Sequence, residues 1–219
     1  MKKQKTKNIV WDWNGTIVND AWLFVDIMNI VLKKNGLPFI NLKKYKKSFC
    51  FPIEDYWSGL GFNFTKQEFQ KLNNFFISEY QKKMFIPLVH YNIVPLFGLL
   101  KKAGVQQFVL SASEQKLLNL SVKHYKLNSF FSGVYGVDNL SAHGKERVGK
   151  TLLKKHSLSC EETLFIGDTE YDCSVAENLG CNILLISHGH IDHVRLLQTK
   201  KTVLKTVSNL KSFLIQSII

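Results

Sequence analysis

Apolar residues fall along this chain in two rhythms. Short apolar, β-branched or aromatic runs recur at 9–13, 107–111, 133–137, 163–167 and 182–187. Runs of that length, bounded by turn residues, predict buried strands. Between them, 94–103, 115–125, 145–156 and 172–179 have the pattern of helices, and Gly104 and Gly180 stand where two of them should end. Strands alternating with helices predict an α/β core built on a parallel sheet covered on both faces.

The stretch 18–89 breaks that alternation. It is rich in aromatics and mostly helical in pattern, as in 66–83, where Phe69, Leu72, Phe75, Phe76 and Tyr80 recur near helical spacing. Such a stripe reads as a small helical core of its own. The expected organisation is therefore a core formed by 1–17 and 90–219, with a helical domain, 18–89, inserted after the first strand. A chain of 219 residues is long enough for both. It contains no internal repeat and no low-complexity linker.

In an open α/β sheet, ligands bind beyond the carboxyl ends of the strands. The first strand runs into Asp12-Trp13-Asn14-Gly15-Thr16 and the second into Ser111-Ala112-Ser113. Lys145 opens the helix after the third. The fourth leads into Gly167-Asp168-Thr169-Glu170-Tyr171-Asp172. Three carboxylates, a hydroxyl and an ammonium should meet in one crevice. This ordered set resembles the haloacid dehalogenase superfamily, over nearly the whole chain. Asp12 is similar to its nucleophile, Ser111 to its phosphate-binding hydroxyl, Lys145 to its charge-neutralising lysine, and Asp168 with Asp172 to its acidic metal-binding pair. The insertion looks like the helical cap of phosphoglycolate phosphatase-like and β-phosphoglucomutase-like members, and Ser-Ala-Ser looks like the latter.

The resemblance implies a Rossmann-like core and a phosphatase for a small phosphorylated metabolite, with phosphoglycolate as one named substrate. Asp12 would attack phosphorus and form an aspartyl-phosphate. Mg²⁺ would sit on Asp12, the backbone carbonyl of Asn14 and Asp168, since this ion takes oxygen ligands beside phosphate. Asp172 would hold the metal's water or orient Lys145. Lys145 would offset charge on the transferring group. Ser111, with the backbone N–H of Ala112, would hold a phosphate oxygen, and Gly15 would let the backbone approach closely.

Asn14 departs from the pattern, which places a second aspartate there to protonate the leaving oxygen. An amide positions groups but carries no proton, and such acid–base help is worth roughly 10²–10⁴-fold. Because the metal would use the backbone carbonyl, its site should survive. Three readings follow: a slow phosphatase for good leaving groups, a proton carrier supplied by the cap, or a phosphate-ligand binding or regulatory protein with little turnover.

The net charge of +12 comes almost wholly from lysine; Arg147 and Arg195 are the only arginines. Dispersed lysines read as solvated faces that attract anionic substrates, and no nucleic-acid-binding motif accompanies them. No run reaches transmembrane length, and the apolar run after the basic start is broken at Asp12, unlike a signal peptide. Cys50, Cys160, Cys173 and Cys181 lack paired spacing, which suits free thiols in a reducing cytoplasm. Gly144-Lys145-Glu146-Arg147-Val148-Gly149-Lys150-Thr151 fits the nucleotide phosphate-loop pattern. Its interior is a good helix sequence, however, and an NTPase reading leaves Asp12 and Ser111 unexplained. His188, His190 and His193 have no cysteine partner nearby to complete a zinc set. Lys43, Lys44, Lys46 and Lys47, around Tyr45, read as a solvated helix face. Phe51-Pro52 and Tyr56-Trp57 read as packing within the helical domain rather than as a substrate wall.

Overall fold

A computed structural model describes residues 6–218. Its centre is β1 (Asn8–Trp11), which pairs in parallel with β2 (Gln106–Glu114) on one side and with β4 (Thr163–Gly167) on the other. With β3 (Gly133–Val137), β5 (Asn182–Ile186) and β6 (Val203–Leu204) the sheet has the order β3-β2-β1-β4-β5-β6, parallel throughout. The central strand is buried along its whole length, as expected for a parallel strand covered on both faces.

Side-chain alternation divides the two faces. Ile9, Trp11 and Val109 point into one layer with α5 (Ile93–Lys102), α6 (Gln115–His124) and α10 (Val207–Ile218), where Phe97 meets Trp11 edge-on at 5.2 Å. Val10, Phe108 and Leu110 point into the other, against α7 (Lys145–Lys155) and α8 (Glu170–Asn178). This period of two puts successive residues of one strand in different layers, so the buried centre of each strand, Ile9 to Trp11 in β1 and Phe108 to Leu110 in β2, is an unbroken apolar run.

Four helices separate β1 from α5: α1 (Ala21–Lys34), α2 (Leu42–Ser48), α3 (Ile53–Gly59) and α4 (Lys66–Lys83). Tyr45, Trp57, Phe69 and Phe76 form their shared core. The aromatic stripe does form one helix, started by a reciprocal Thr65–Glu68 capping box.

Several boundaries differ from the sequence expectation. β1 stops at Trp11, so Asp12 and Trp13 already belong to the loop, whereas β2 continues to Glu114 with an irregular register after Leu110. α8 begins at Glu170 because Thr169 caps it and Asp172 returns the bond. The pattern did not reveal β6, which is two residues long, or α9 (His193–Leu197) and α10. Free thiols occur at Cys50 and Cys173, but Cys160 and Cys181 form a disulfide joining the turn before β4 to the start of β5. Spacing alone could not show this, because the pair is brought together by the β4–α8–β5 crossover.

Candidate functional site

The loop after β1 is set by its backbone. Gly15 has a φ of 78°, and a Cβ there would collide with the Asp168 carboxylate and the His190 ring. Its N–H donates to Val18 O and to Asp20 Oδ1, both at 2.9 Å. The turn leaves Asp12 at the carboxyl edge of the sheet, with its own N–H on Ile166 O at 2.8 Å.

Around Asp12 the structure brings together most of the residues singled out in the sequence. Lys145, the first residue of α7, donates to Asp12 Oδ1 at 2.5 Å and also to Asp172 Oδ1. Asp172 Oδ2 accepts from the Asp168 and Thr169 N–H groups at 3.2 and 3.0 Å and from Thr169 Oγ1 at 2.7 Å. Asp168 is fully buried and accepts from Thr16 Oγ1 at 2.7 Å and His190 N at 2.6 Å. Carboxylate oxygens of Asp12, Asp168 and Asp172 all lie within 4.8 Å of one another. Ser111, also buried, lies in β2 just after Leu110, where the register becomes irregular, and accepts from Ser113 N at 3.1 Å.

Crowding these acids has an electrostatic consequence. Burial, then Asp172 and Asp168, push the Asp12 carboxyl well above the usual range, against the pull of Lys145. Burial raises Asp168 to about 6, with His190 opposing. Burial also works against the charge on Lys145, yet Asp12 and Asp172 hold its pKa above the ordinary lysine value. One ammonium among three clustered carboxylates leaves an excess of negative charge, and all the donors are hard oxygens. That donor set suits Mg²⁺ or a similar oxygen-seeking dication.

Both polar atoms of the Asn14 side chain are held. Its Oδ1 accepts from Ser113 Oγ at 2.7 Å, and its Nδ2 donates to Asp20 Oδ2 at 2.5 Å and to Tyr80 Oη at 2.7 Å. Tyr80, from α4, donates to the same Asp20 oxygen at 3.0 Å. His190 Nε2 faces Asp20 Oδ1 at 3.3 Å, an ion-pair distance without hydrogen-bond alignment, while Nδ1 meets Tyr45 Oη at 2.7 Å.

A family model described as haloacid dehalogenase-like hydrolase matches residues 9–186. The chain belongs to that family. It is 28% identical over 92 residues to phosphoglycolate phosphatase of Vibrio cholerae, a match spanning 42% of this chain and 41% of that protein. The chain thus matches about two fifths of that relative's length. Among solved structures it is similar to a predicted phosphatase from Clostridium acetobutylicum, with TM-score 0.85, 18% identity, and coverage of 97% of this chain and 99% of that one. It is also similar to a haloacid dehalogenase-like family hydrolase from Streptococcus pneumoniae, with TM-score 0.80, 22% identity, and coverage of 95% and 98%. At these identities the two structures speak for the fold.

In this haloacid dehalogenase-like hydrolase, the segment resembling a nucleotide phosphate loop is divided between two environments. Lys145 is buried in the acid cluster, whereas Lys150 is exposed on α7 and pairs with Glu146 at 2.6 Å. The three histidines also separate. His188 sits against Thr16 O, His190 against Tyr45 and Asp20, and His193 against Ser187 Oγ at 3.1 Å. Lys43, Lys44 and Lys47 are exposed, as a solvated face requires, but Lys46 reaches His188 O at 3.1 Å. Phe51, Tyr56 and Trp57 line the cavity beside Asp12 as well as packing, which corrects the reading of them as packing alone. Thr16, Asp20, Tyr45 and Tyr80 were not singled out. Asp20, just before α1, has the sequence signature of an ordinary helix cap, yet it makes no side-chain cap bond and turns back to Gly15 and Asn14.

Proposed function

We propose that the chain is a Mg²⁺-dependent phosphatase that cleaves a small phosphorylated metabolite through an aspartyl-phosphate on Asp12. The observation that carries this reading is the Lys145 ammonium bonded to Asp12 and Asp172, inside a cluster of three carboxylates at the carboxyl edge of the sheet. A carboxylate attacking an anionic phosphate needs cations on both partners. In this reading Asp12, the Asn14 carbonyl and Asp168 hold the metal, with Asp172 beside them. Bound there, Mg²⁺ would neutralise phosphate charge and polarise the phosphoryl group.

The protein's own groups do the rest. Asp12 Oδ attacks phosphorus in line, and the bond from phosphorus to the ester oxygen breaks, its electron pair leaving with the organic group. Water then attacks the same phosphorus, the bond from phosphorus to Asp12 Oδ breaks to return the carboxylate, and the water's protons leave with the released phosphate. Ser111 and the Ala112 N–H grip the phosphoryl oxygens, Gly15 lets the loop approach them closely, and Lys145 holds the charge that builds on them. Asp172, bonded to two N–H groups and a hydroxyl, fixes Lys145. Asn14 cannot give the leaving oxygen a proton, so groups that depart as stable anions are favoured. Residues 18–89 serve as the cap, and 1–17 and 90–219 as the core.

Phosphoglycolate enters through the name of the Vibrio cholerae relative. A second reading, a phosphate-ligand binding or regulatory protein with little turnover, draws support from the tied-down Asn14 amide. Steady-state phosphate release over a panel of monoesters separates the two. Turnover with Mg²⁺ that is lost in Asp12→Asn and on chelation supports the phosphatase. No turnover on any ester, and none gained in Asn14→Asp, would leave the binding protein.

A further inference from the structure

The cavity that opens beside Asp12, between the helical insertion and the sheet edge, has a volume of about 140 Å³. A site for a small, doubly acidic metabolite should present a cation for the second acid group. This cavity does not. Its walls include Phe24, Phe51, Ile53, Phe76 and Ile77, all from the insertion, and Leu117 from α6, with Asn73 and Asn139 as neutral polar groups among them. Among the described residues, Lys145 is the sole lysine or arginine lining it, and its ammonium is already bonded to Asp12 and Asp172. His190, the other basic group on the wall, is turned to Asp20 and Tyr45. The remaining charge is negative: Glu114 lines the cavity and accepts from the Lys116 and Leu117 N–H groups. A second carboxylate entering here would lose its water and gain no counter-charge, which strongly disfavours its ionised form.

Two further features say what does fit. Tyr56 lines the cavity, is buried, and its hydroxyl has no hydrogen-bond partner among the described residues. A buried polar atom without a partner is costly unless a ligand supplies one. The walls are built from aromatic rings set edge to face, with Phe24 at 5.2 Å from Tyr80 and Phe49 at 5.2 Å from Tyr56. Such surfaces favour another ring. A benzene-sized guest takes an apolar cavity of roughly 150 Å³, so a cavity of about 140 Å³ that includes the Asp12 end limits the organic group to a single small ring.

We propose that this pocket selects phosphate monoesters of a compact, uncharged phenol with one neutral hydrogen-bonding group for Tyr56, and rejects esters carrying a second acid. The proposal rests on the phosphatase reading above and narrows its substrate class away from phosphoglycolate. It also accords with Asn14, since a phenol departs as a stable anion and needs no donated proton.

The test pairs substrates that differ only in charge. With Mg²⁺, the expected kcat/KM for 4-carbamoylphenyl phosphate exceeds that for 4-carboxyphenyl phosphate by at least about ten-fold, and 2-phosphoglycolate falls below both. Tyr56→Phe is expected to reduce the preference for the carbamoyl ester over phenyl phosphate by about ten-fold, the loss of one buried hydrogen bond. Calorimetric binding of the two para-substituted esters to Asp12→Asn reads the same preference without turnover. If the carboxylate ester matches the carboxamide in both assays, the pocket proposal is overturned while the phosphatase stands. If binding keeps the preference but no ester turns over, the proposal survives and the phosphatase reading fails.

Discussion

The carboxamide of Asn14 is held at both ends, by Ser113 on its oxygen and by Asp20 and Tyr80 on its nitrogen. Replacing that nitrogen with oxygen changes both chemistry and stability. In Asn14→Asp the new carboxylate faces Asp20 across the former 2.5 Å contact, and two carboxylates so close keep one proton between them. The retained proton is what a leaving alkoxide needs. The expected outcome is a rise of roughly 10²–10⁴-fold in kcat for alkyl phosphates and little change for aryl phosphates, seen as a flatter plot of log kcat/KM against leaving-group pKa. A shared proton bound more tightly in the folded state than in the unfolded chain adds stability at low pH that is lost as pH rises. The variant should therefore unfold at lower denaturant than wild type at pH 8 and approach it at pH 5. Lys145→Ala acts differently. It leaves Asp12 and Asp172 facing each other without their cation, and breaking such a buried pair costs about 3–5 kcal/mol; phosphate release should vanish, and chemical denaturation should show the loss. The residues behind these predictions were legible to different degrees. Asp12 and Asp168 could be found because each immediately follows a strand, Lys145 because it opens a helix, Ser111 because it ends the apolar run of β2, and Asp172 because it falls in the first turn of the helix after β4. Tyr80, Tyr45 and His190 could not, because their roles come from the docking of distant helices, and in the sequence they look like members of an aromatic stripe or a histidine cluster.

Helices carry the next level of the design. The insertion is clamped to the core at several points: Tyr45 on His190, Tyr80 on Asn14, Asn73 Nδ2 on Leu140 O at 3.0 Å, and Phe51 stacked on Tyr171 at 4.5 Å. The firmest polar clamp is Arg195 of α9. Its Nη1 donates to Lys47 O at 3.1 Å and Phe49 O at 2.7 Å, taking the open carbonyls at the end of α2, while Nη2 pairs with Glu170 at 2.9 Å. Helix ends leave such carbonyls without internal partners. Arg195→Ala should lower stability by about 1–3 kcal/mol. It should also speed amide hydrogen exchange in α2, while α10, which the clamp does not touch, exchanges as before. Equal acceleration in both helices would mean that Arg195 supports the whole fold rather than the docking of the insertion. α9 was not foreseen because one turn of helix leaves no period to read, and β6 was too short for the same reason. α4 and α7 were legible because their apolar positions repeat often enough to show a period of 3.6, and β1 and β4 because each is a short apolar run bounded by turn residues.

The whole molecule responds to pH through groups that pull in opposite directions. His90 and His188 stack at 3.5 Å, with Nε2 atoms against Gly15 O at 2.9 Å and Thr16 O at 3.1 Å, so they brace the loop that carries Asn14. Burial lowers His90 to about 4 and His188 to about 3. Unfolded, each titrates near 6.5. Between those values the unfolded chain binds more protons, so this contribution is complete above pH 6.5 and is lost as pH falls toward 4 and then 3. Asp168 works the other way. Raised to about 6 in the folded state, it favours folding as pH falls from 6 toward its unfolded value. Acidification also adds to a charge that is already +12 at pH 7, and the resulting self-repulsion disfavours the compact state. Raw stability against pH mixes all three effects. A difference between two proteins isolates the imidazole, because Asp168 and the net charge are nearly common to both. His188→Gln keeps a nitrogen donor for Thr16 O and removes the titration. At constant moderate salt, the stability of wild type minus that of His188→Gln should hold steady from pH 8 to 7. It should then fall by on the order of a few kcal/mol by pH 4, as measured by urea unfolding at each pH. A difference independent of pH would show that His188 is not held neutral by burial, and that the loop keeps its shape without an uncharged imidazole stack.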